Sequence, residues 1–190
     1  VPWVEKFPEV MSNGKFDIII GNPPYFKVLS DHPMTDSQDY KEIHCGKMNS
    51  APLFINKSLK LLKDNGKIGF IVLKALCYVD SWEKIRGKMF ESTSLDFMID
   101  CRKATKDAKI EQVIMIATNK NHPDPSFKVG KIKDFKVGKI KDFKFEINGS
   151  IKQNFAQENN AIFLESDPVA YDIRQKMMSN SESLGTILDV

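Results

Sequence analysis

The sequence predicts an α/β layered domain, with parallel strands first and an antiparallel pair last. Three observations carry that expectation. Short apolar runs rich in β-branched residues alternate with amphipathic stretches at helical spacing. The first run, "FDIII" at 16–20, passes without a spacer into Gly21, Asn22, Pro23, Pro24 and Tyr25, and in open sheets ligands gather at such carboxyl ends of strands. The last two runs, "LDFMID" at 95–100 and "EQVIMIAT" at 111–118, are joined by a polar, lysine-bearing loop, which suits strands that return on one another.

The elements follow in order. Phe16 to Ile20, ended by a glycine and a proline pair, reads as a strand buried on both faces. Residues 26–50 are polar and irregular, with one short helix expected near Ser37 to His44. From Ala51 to Lys63 the positions Leu53, Phe54, Leu59, Leu61 and Leu62 recur at roughly helical spacing, and "DNG" at 64–66 is the stop signal. "KIGFIVL", Lys67 to Leu73, is the next buried strand, and Ser81 to Phe90 the next amphipathic helix. Residues 127–142 hold a literal repeat, "FKVGKIKD" twice, followed by "FKFEI". A glycine in each copy suits a tight turn, so a basic β-hairpin is expected. Its lysines, Lys131, Lys133, Lys139 and Lys141 among them, suit either a phosphate backbone or a lysine-protected sheet edge. The tail from Pro168 to Met178 reads as helical. The division expected is a catalytic part at 1–120, the lysine-rich hairpin at 121–150 and a helical linker at 151–190.

With 190 residues, 42% of them hydrophobic and 28% charged, the chain has the make-up of an ordinary soluble globular protein with one substantial core. No apolar run approaches the length of a membrane span, and "VPWVEKFPEV" has neither the basic start nor the hydrophobic block of a signal peptide. A cytoplasmic protein is expected. Cys45, Cys77 and Cys101 are odd in number and widely spaced beside three histidines, which suggests reduced structural thiols and neither a disulfide framework nor a metal site. A net charge of +3 is too small to argue for nucleic acid by itself.

The chemistry lies in Asn22 to Tyr25. An exocyclic amine on a nucleobase or an amide is a poor nucleophile because its lone pair is delocalised, and accepting both N–H protons in hydrogen bonds draws that pair back onto nitrogen. Asn22 offers a side-chain carbonyl, and the backbone carbonyl of Pro23 offers a second acceptor. Pro24 holds Pro23 extended, so the loop needs little reorganisation. Tyr25 supplies a flat face for stacking, worth about 1–3 kcal/mol for a base. The same residues also suit a purely structural end, in which Asn22 caps a turn, the prolines end a strand and Tyr25 packs on the surface.

"FDIIIGNPPY" resembles the fourth conserved motif of the S-adenosylmethionine-dependent amino-methyltransferases. "VPWVEKFPEVMSNGKFDIIIGNPPYF" is similar to the segment entering the catalytic loop of the large adenine-N6 DNA methyltransferases of type II restriction-modification systems. "SAPLFINKSLKLLKDNGKIGFIVLKAL" and "SWEKIRGKMFESTSLDFMID" resemble their next helix–strand pairs, and "ATKDAKIEQVIMIAT" the later strand with the eighth motif. The resemblance covers residues 3–118 in order. It implies the second half of a Rossmann-like sheet, S-adenosylmethionine as cofactor and double-stranded DNA as partner. It also implies that Asn22 and the Pro23 carbonyl bind the N6 amine of a flipped adenine stacked on Tyr25, with no metal and no covalent intermediate. Phe54 matches a position that approaches the cofactor's adenine, while its helical spacing fits a core aromatic equally well.

Three departures qualify the resemblance. Leu73-Lys74-Ala75 stands where many relatives have a Pro-Asn or Pro-Ser pair. No aromatic lies near Thr105, so Tyr25 stacks alone or with Phe26. No glycine-rich cofactor loop precedes the catalytic strand, which suggests a fragment whose upstream cofactor-binding half and downstream target-recognition domain lie elsewhere, and which by itself methylates nothing. Rival readings keep the clamp for a protein glutamine or a ribosomal RNA guanine, or make the chain a non-catalytic nucleic-acid-binding module.

Overall fold

The computed structural model describes residues 2–102, 110–120, 125–134 and 144–164, together with Ile173, Lys176 and Met177. In chain order the elements are α1 (Trp3–Lys6), α2 (Pro8–Ser12), β1 (Phe16–Gly21), α3 (Gln38–Ile43), α4 (Ala51–Leu61), β2 (Leu62–Leu73), α5 (Glu83–Ser92), β3 (Ser94–Arg102), β4 (Gln112–Thr118), β5 (Ser126–Asp134), β6 (Lys144–Lys152) and α6 (Gln153–Glu158). No helix among the described residues is long and apolar enough to cross a membrane.

The strands form one mixed sheet in the order β1-β2-β4-β3-β5-β6. β1 pairs with β2 in parallel, and β4 runs antiparallel between β2 and β3. β5 pairs with β3 in parallel, and β6 closes antiparallel on β5. β1, β2, β3 and β5 therefore point the same way, and their carboxyl ends share one rim. The loop after β1 sits on that rim, where open α/β sheets place ligands. The antiparallel β3–β4 pair is present as expected.

Alternation along the strands sorts their side chains onto two faces. On one face Ile68, Phe70 and Val72 of β2, Val113, Met115 and Ala117 of β4, and Phe127 and Val129 of β5 join a single core. Leu53, Ile55 and Leu59 of α4, Ile85, Met89 and Phe90 of α5, and Phe155 of α6 complete it. A smaller cluster, Ile99, Cys101 and Ile132 with Phe97 and Ile114 beside them, comes from strand residues alone.

Several expectations are corrected. β1 is not buried on both faces: Ile18 and Ile20 are 62% and 82% exposed, and only Ile19 of its isoleucines packs on the main core. Its position at the edge of the sheet explains this. α4 stops at Leu61 and β2 begins at Leu62, so "DNG" is a bulge inside β2 rather than the stop between helix and strand. The β1–β2 register jumps there from Phe16↔Leu62 to Ile18↔Lys67. Asn65 adopts a φ of 61°, and a Cβ on Gly66 would stand 2.9 Å from the Lys63 carbonyl oxygen and 3.0 Å from that of Phe16.

The lysine repeat also differs. Its first copy is β5 itself, an interior strand between β3 and β6, and Gly130 lies within that strand rather than at a turn. A Cβ there would run into the carbonyl of Glu146 on β6. An antiparallel pair does occupy this stretch, with β5 and β6 as its arms, but Gly130 is not its turn. The second copy, carrying Lys139 and Lys141, lies outside the described residues, as do Thr105 and most of the 168–178 tail.

α6 lies inside the stretch expected as a helical linker and is tied down by a buried side chain. Gln153 is 1% exposed, donates to the carbonyls of Phe90 and Thr93, and accepts from the Leu95 N–H. The irregular segment after the rim loop is anchored through α3, capped by Ser37 as expected near that position. Asp39 binds Lys57 and Lys60, and Glu42 binds Lys60, Lys88 and the Asn56 amide. Hydrogen bonds from Lys60, Lys88 and Asn56 hold Glu42 well below the usual carboxylate range, at about 2.

Because Gly130 faces backbone rather than solvent, Gly130→Ala is expected to lower unfolding free energy in urea by about 1–3 kcal/mol. An unchanged midpoint and slope would mean that the glycine sits in a turn after all.

Candidate active site

β1 ends at Gly21, which is pressed against β2: a Cβ there would lie 2.9 Å from Cε1 of Phe70. The chain then leaves the sheet with Asn22 exposed, Pro23 buried, Pro24 exposed and Tyr25 half-buried. The Tyr25 ring packs against the main core, and its hydroxyl lies 2.8 Å from Asn22 Oδ1 and 2.7 Å from the carbonyl oxygen of Ile71 on β2. A phenol has one proton to donate, so the two acceptors share it. This folds the loop back on itself over the end of β2. Burial pushes the Tyr25 phenol up to about 12; nearby Cys101 adds to the rise and a hydrogen bond with Gln112 opposes it.

The downstream half of the loop is held by the segment entering α4. The Ser50 N–H donates to the Phe26 carbonyl and the Val28 N–H to the Met48 carbonyl, both at 2.9 Å, and Lys27 bridges to Asn49 in antiparallel fashion. The Ser50 hydroxyl donates to the Pro24 carbonyl at 2.5 Å and accepts the Phe26 N–H at 3.1 Å.

Lys74, one of the residues that departs from the relatives' pattern, ties the ends of three strands together. Its ammonium lies 2.8 Å from Asp100 Oδ2 and 3.2 Å from Glu111 Oε2. Burial opposes its charge, but the hydrogen bonds to Asp100 and Glu111 outweigh that effect and raise its pKa.

The arrangement offers acceptors and no base. Asn22 Oδ1 has two lone pairs, of which Tyr25 engages one, and no described residue donates to the Pro23 carbonyl. A phenol held near 12 stays protonated at working pH. Among the described residues no group of three or more His, Cys, Asp or Glu could hold a metal ion.

The other residues singled out from the sequence are more scattered. Phe54, in the first turn of α4, is 37% exposed and belongs to neither apolar cluster. Phe26 is 40% exposed, with its ring 5.7 Å from that of His32. Lys133 pairs with Glu146 at 3.2 Å, Lys131 is half-buried on β5, and Lys139 and Lys141 are outside the described residues. β5 lies four strand spacings from β1 in the sheet order, about 19 Å at the usual interstrand distance, so Lys131 and Lys133 are not gathered with the rim loop. Sequence reasoning missed Ser50, which reads as an ordinary helix cap, and Gln112 and the Ile71 carbonyl, which carry no local signal.

The family model described as Eco57I restriction-modification methylase matches residues 1–106, more than half of the chain. The chain belongs to the Eco57I restriction-modification methylase family. It is 28% identical, over 95% of its length, to the type II restriction enzyme and methyltransferase RM.Eco57I of Escherichia coli, and spans 18% of that relative. Among solved structures, its fold is similar to that of the type IIG restriction endonuclease BpuSI, with a TM-score of 0.62 at 12% identity over 78% of this chain and 20% of the other. It also matches a candidate class I S-adenosylmethionine-dependent methyltransferase from Listeria monocytogenes, with a TM-score of 0.51 at 15% identity over 64% of this chain and 38% of the other. The mixed six-stranded sheet of this family member thus has a fold similar to class I methyltransferases.

If the Tyr25 hydroxyl is buried against Ile71 and Asn22, tyrosinate absorbance of the protein should include one component that ionises only near pH 12, absent from Tyr25→Phe. Loss of a component near pH 10, the ordinary value, would show an exposed phenol instead.

Proposed function

We propose that this chain carries the catalytic loop of an adenine-N6 DNA methyltransferase of a type II restriction-modification system. The observation that carries the reading is the pair of carbonyl acceptors on the rim, Asn22 Oδ1 and the Pro23 carbonyl, in a loop that supplies hydrogen-bond acceptors but no base. The family membership and the type II relative in Escherichia coli support it.

S-adenosylmethionine, when bound, supplies an electrophilic methyl group. The residues on this chain fit its neighbourhood: Asn22 stands exposed at the rim, and Phe54 in the first turn of α4 is 37% exposed. In the reaction Asn22 and Pro23 accept the two amine protons of a flipped adenine, which localises the lone pair on N6. The lone pair so localised would make N6 the nucleophile toward that methyl group, and with no base in the loop the proton that N6 gives up would pass to solvent. Tyr25, neutral and fixed, stacks on the base. Positioning does most of the work.

Double-stranded DNA in the cytoplasm is the substrate, with Phe26 beside the flipped base and Lys131, Lys133, Lys139 and Lys141 as phosphate contacts. Lys133 already has an acidic neighbour, Glu146, at 3.2 Å. The chain spans 18% of the length of its Escherichia coli relative, and a cofactor-binding half and a target-recognition domain outside these 190 residues are part of the proposal.

The test is product analysis in the longest natural polypeptide containing this chain, given labelled S-adenosylmethionine and unmodified DNA. Label is expected in N6-methyladenine, falling by roughly 100-fold or more in Asn22→Ala. Label in protein glutamine or RNA guanine, or transfer to adenine that survives Asn22→Ala unchanged, would contradict the proposal.

A further inference from the structure

We infer that Ser50 is a positioning residue of the rim loop, setting the orientation of Tyr25 and, through the Tyr25 hydroxyl, that of Asn22. The inference rests on the catalytic reading of this loop.

A serine just before a helix normally accepts an N–H from the second or third helical residue. Ser50 does not cap α4: it has helical dihedrals, φ −69° and ψ −31°, and makes no side-chain cap hydrogen bond. The start of α4 manages without it. Asn49 Oδ1 accepts the Ala51 N–H at 3.0 Å, Pro52 has no N–H to satisfy, and the Leu53 N–H donates to the Ser50 carbonyl at 3.0 Å.

The hydroxyl, on a residue with no exposed surface, turns instead to a part of the chain distant in sequence. Its two partners, the Pro24 carbonyl and the Phe26 N–H, belong to the peptide groups on either side of Tyr25. Fixing both peptide planes fixes φ and ψ of Tyr25, and with them the direction of its Cα–Cβ bond. At its other end the ring is held by Ile71 and Asn22. Tyr25 is thus restrained at both ends, and a single hydroxyl supplies the backbone end. Removing it leaves the Phe26 N–H without its acceptor beside a buried residue, and the loop gains freedom where a displacement of about 1 Å can cost about 100-fold in rate.

The test compares wild type, Ser50→Ala and Asn49→Ala in the longest natural polypeptide containing this chain, by methylation kinetics and by amide hydrogen exchange. Ser50→Ala is expected to lower kcat by about 10- to 100-fold with the cofactor KM within about twofold, and to speed exchange at Phe26 while amides of α5 keep wild-type protection. Asn49→Ala, which removes the helix cap, is expected to keep kcat. Wild-type kcat in Ser50→Ala, or an equal loss of kcat in Asn49→Ala, would overturn the inference. So would a Phe26 amide that is unprotected in the wild type, a result that stands even if Ser50→Ala fails to fold. If the wild-type protein transfers no methyl to adenine, the catalytic reading fails, and the exchange data still decide what Ser50 holds.

Discussion

The loop after β1 depends on one contact, the Tyr25 hydroxyl against the Ile71 carbonyl and Asn22 Oδ1. It joins the tip of the loop to the end of the neighbouring strand and orients the asparagine amide in the same stroke. A half-buried ring without that contact would leave a polar hydroxyl unsatisfied against the core. With it, the asparagine oxygen keeps one lone pair that Tyr25 does not use, and the tyrosine stays a neutral, anchored plate.

Magnitudes separate what makes the fold stable from what makes the site specific. Each loop hydrogen bond contributes a net of about 0.5–1.5 kcal/mol, whereas burying a side chain such as Phe127 or Ile68 contributes about 1.5–3 kcal/mol, and the main core contains many such residues. The exposed Lys133–Glu146 pair falls near 0–1 kcal/mol. The core therefore holds the sheet together, and the hydrogen bonds choose which loop conformation stands on its rim. Lys74, with Asp100 and Glu111, and the α3 network around Asp39 and Glu42 extend that choice, fixing the strand ends below the loop and the segment that leaves it.

Much of this was legible in the sequence, and the failures have physical reasons. The strand Phe16–Gly21 could be read because a β-branched run meets a glycine and two prolines, local signals that do not depend on the rest of the chain. Its exposure could not be read, because a run of isoleucines looks the same at an edge as in the middle of a sheet. "DNG" marks a left-handed residue and a glycine without saying whether they end an element or bulge within one. Gly130 carried the same ambiguity, settled by the approach of β6. The Asn22–Tyr25 cluster was visible because its members are contiguous, while Ser50 and the Ile71 carbonyl come from positions 25 to 49 residues away and join it only in the folded chain. The resemblance to restriction-modification methyltransferases was visible for the converse reason, since the motifs that carry it are local and occur in order.

The central claim is that Asn22 Oδ1 and the Pro23 carbonyl together accept the protons of one amine. A crystal structure of the longest natural polypeptide containing this chain, bound to duplex DNA and a non-reactive cofactor analogue, tests it most directly. The account predicts both oxygens within about 3.2 Å of N6 of a flipped adenine, with the Tyr25 ring stacked on the base. An adenine amine held by other groups, with Asn22 Oδ1 still turned to Tyr25 and more than about 4 Å away, would contradict it.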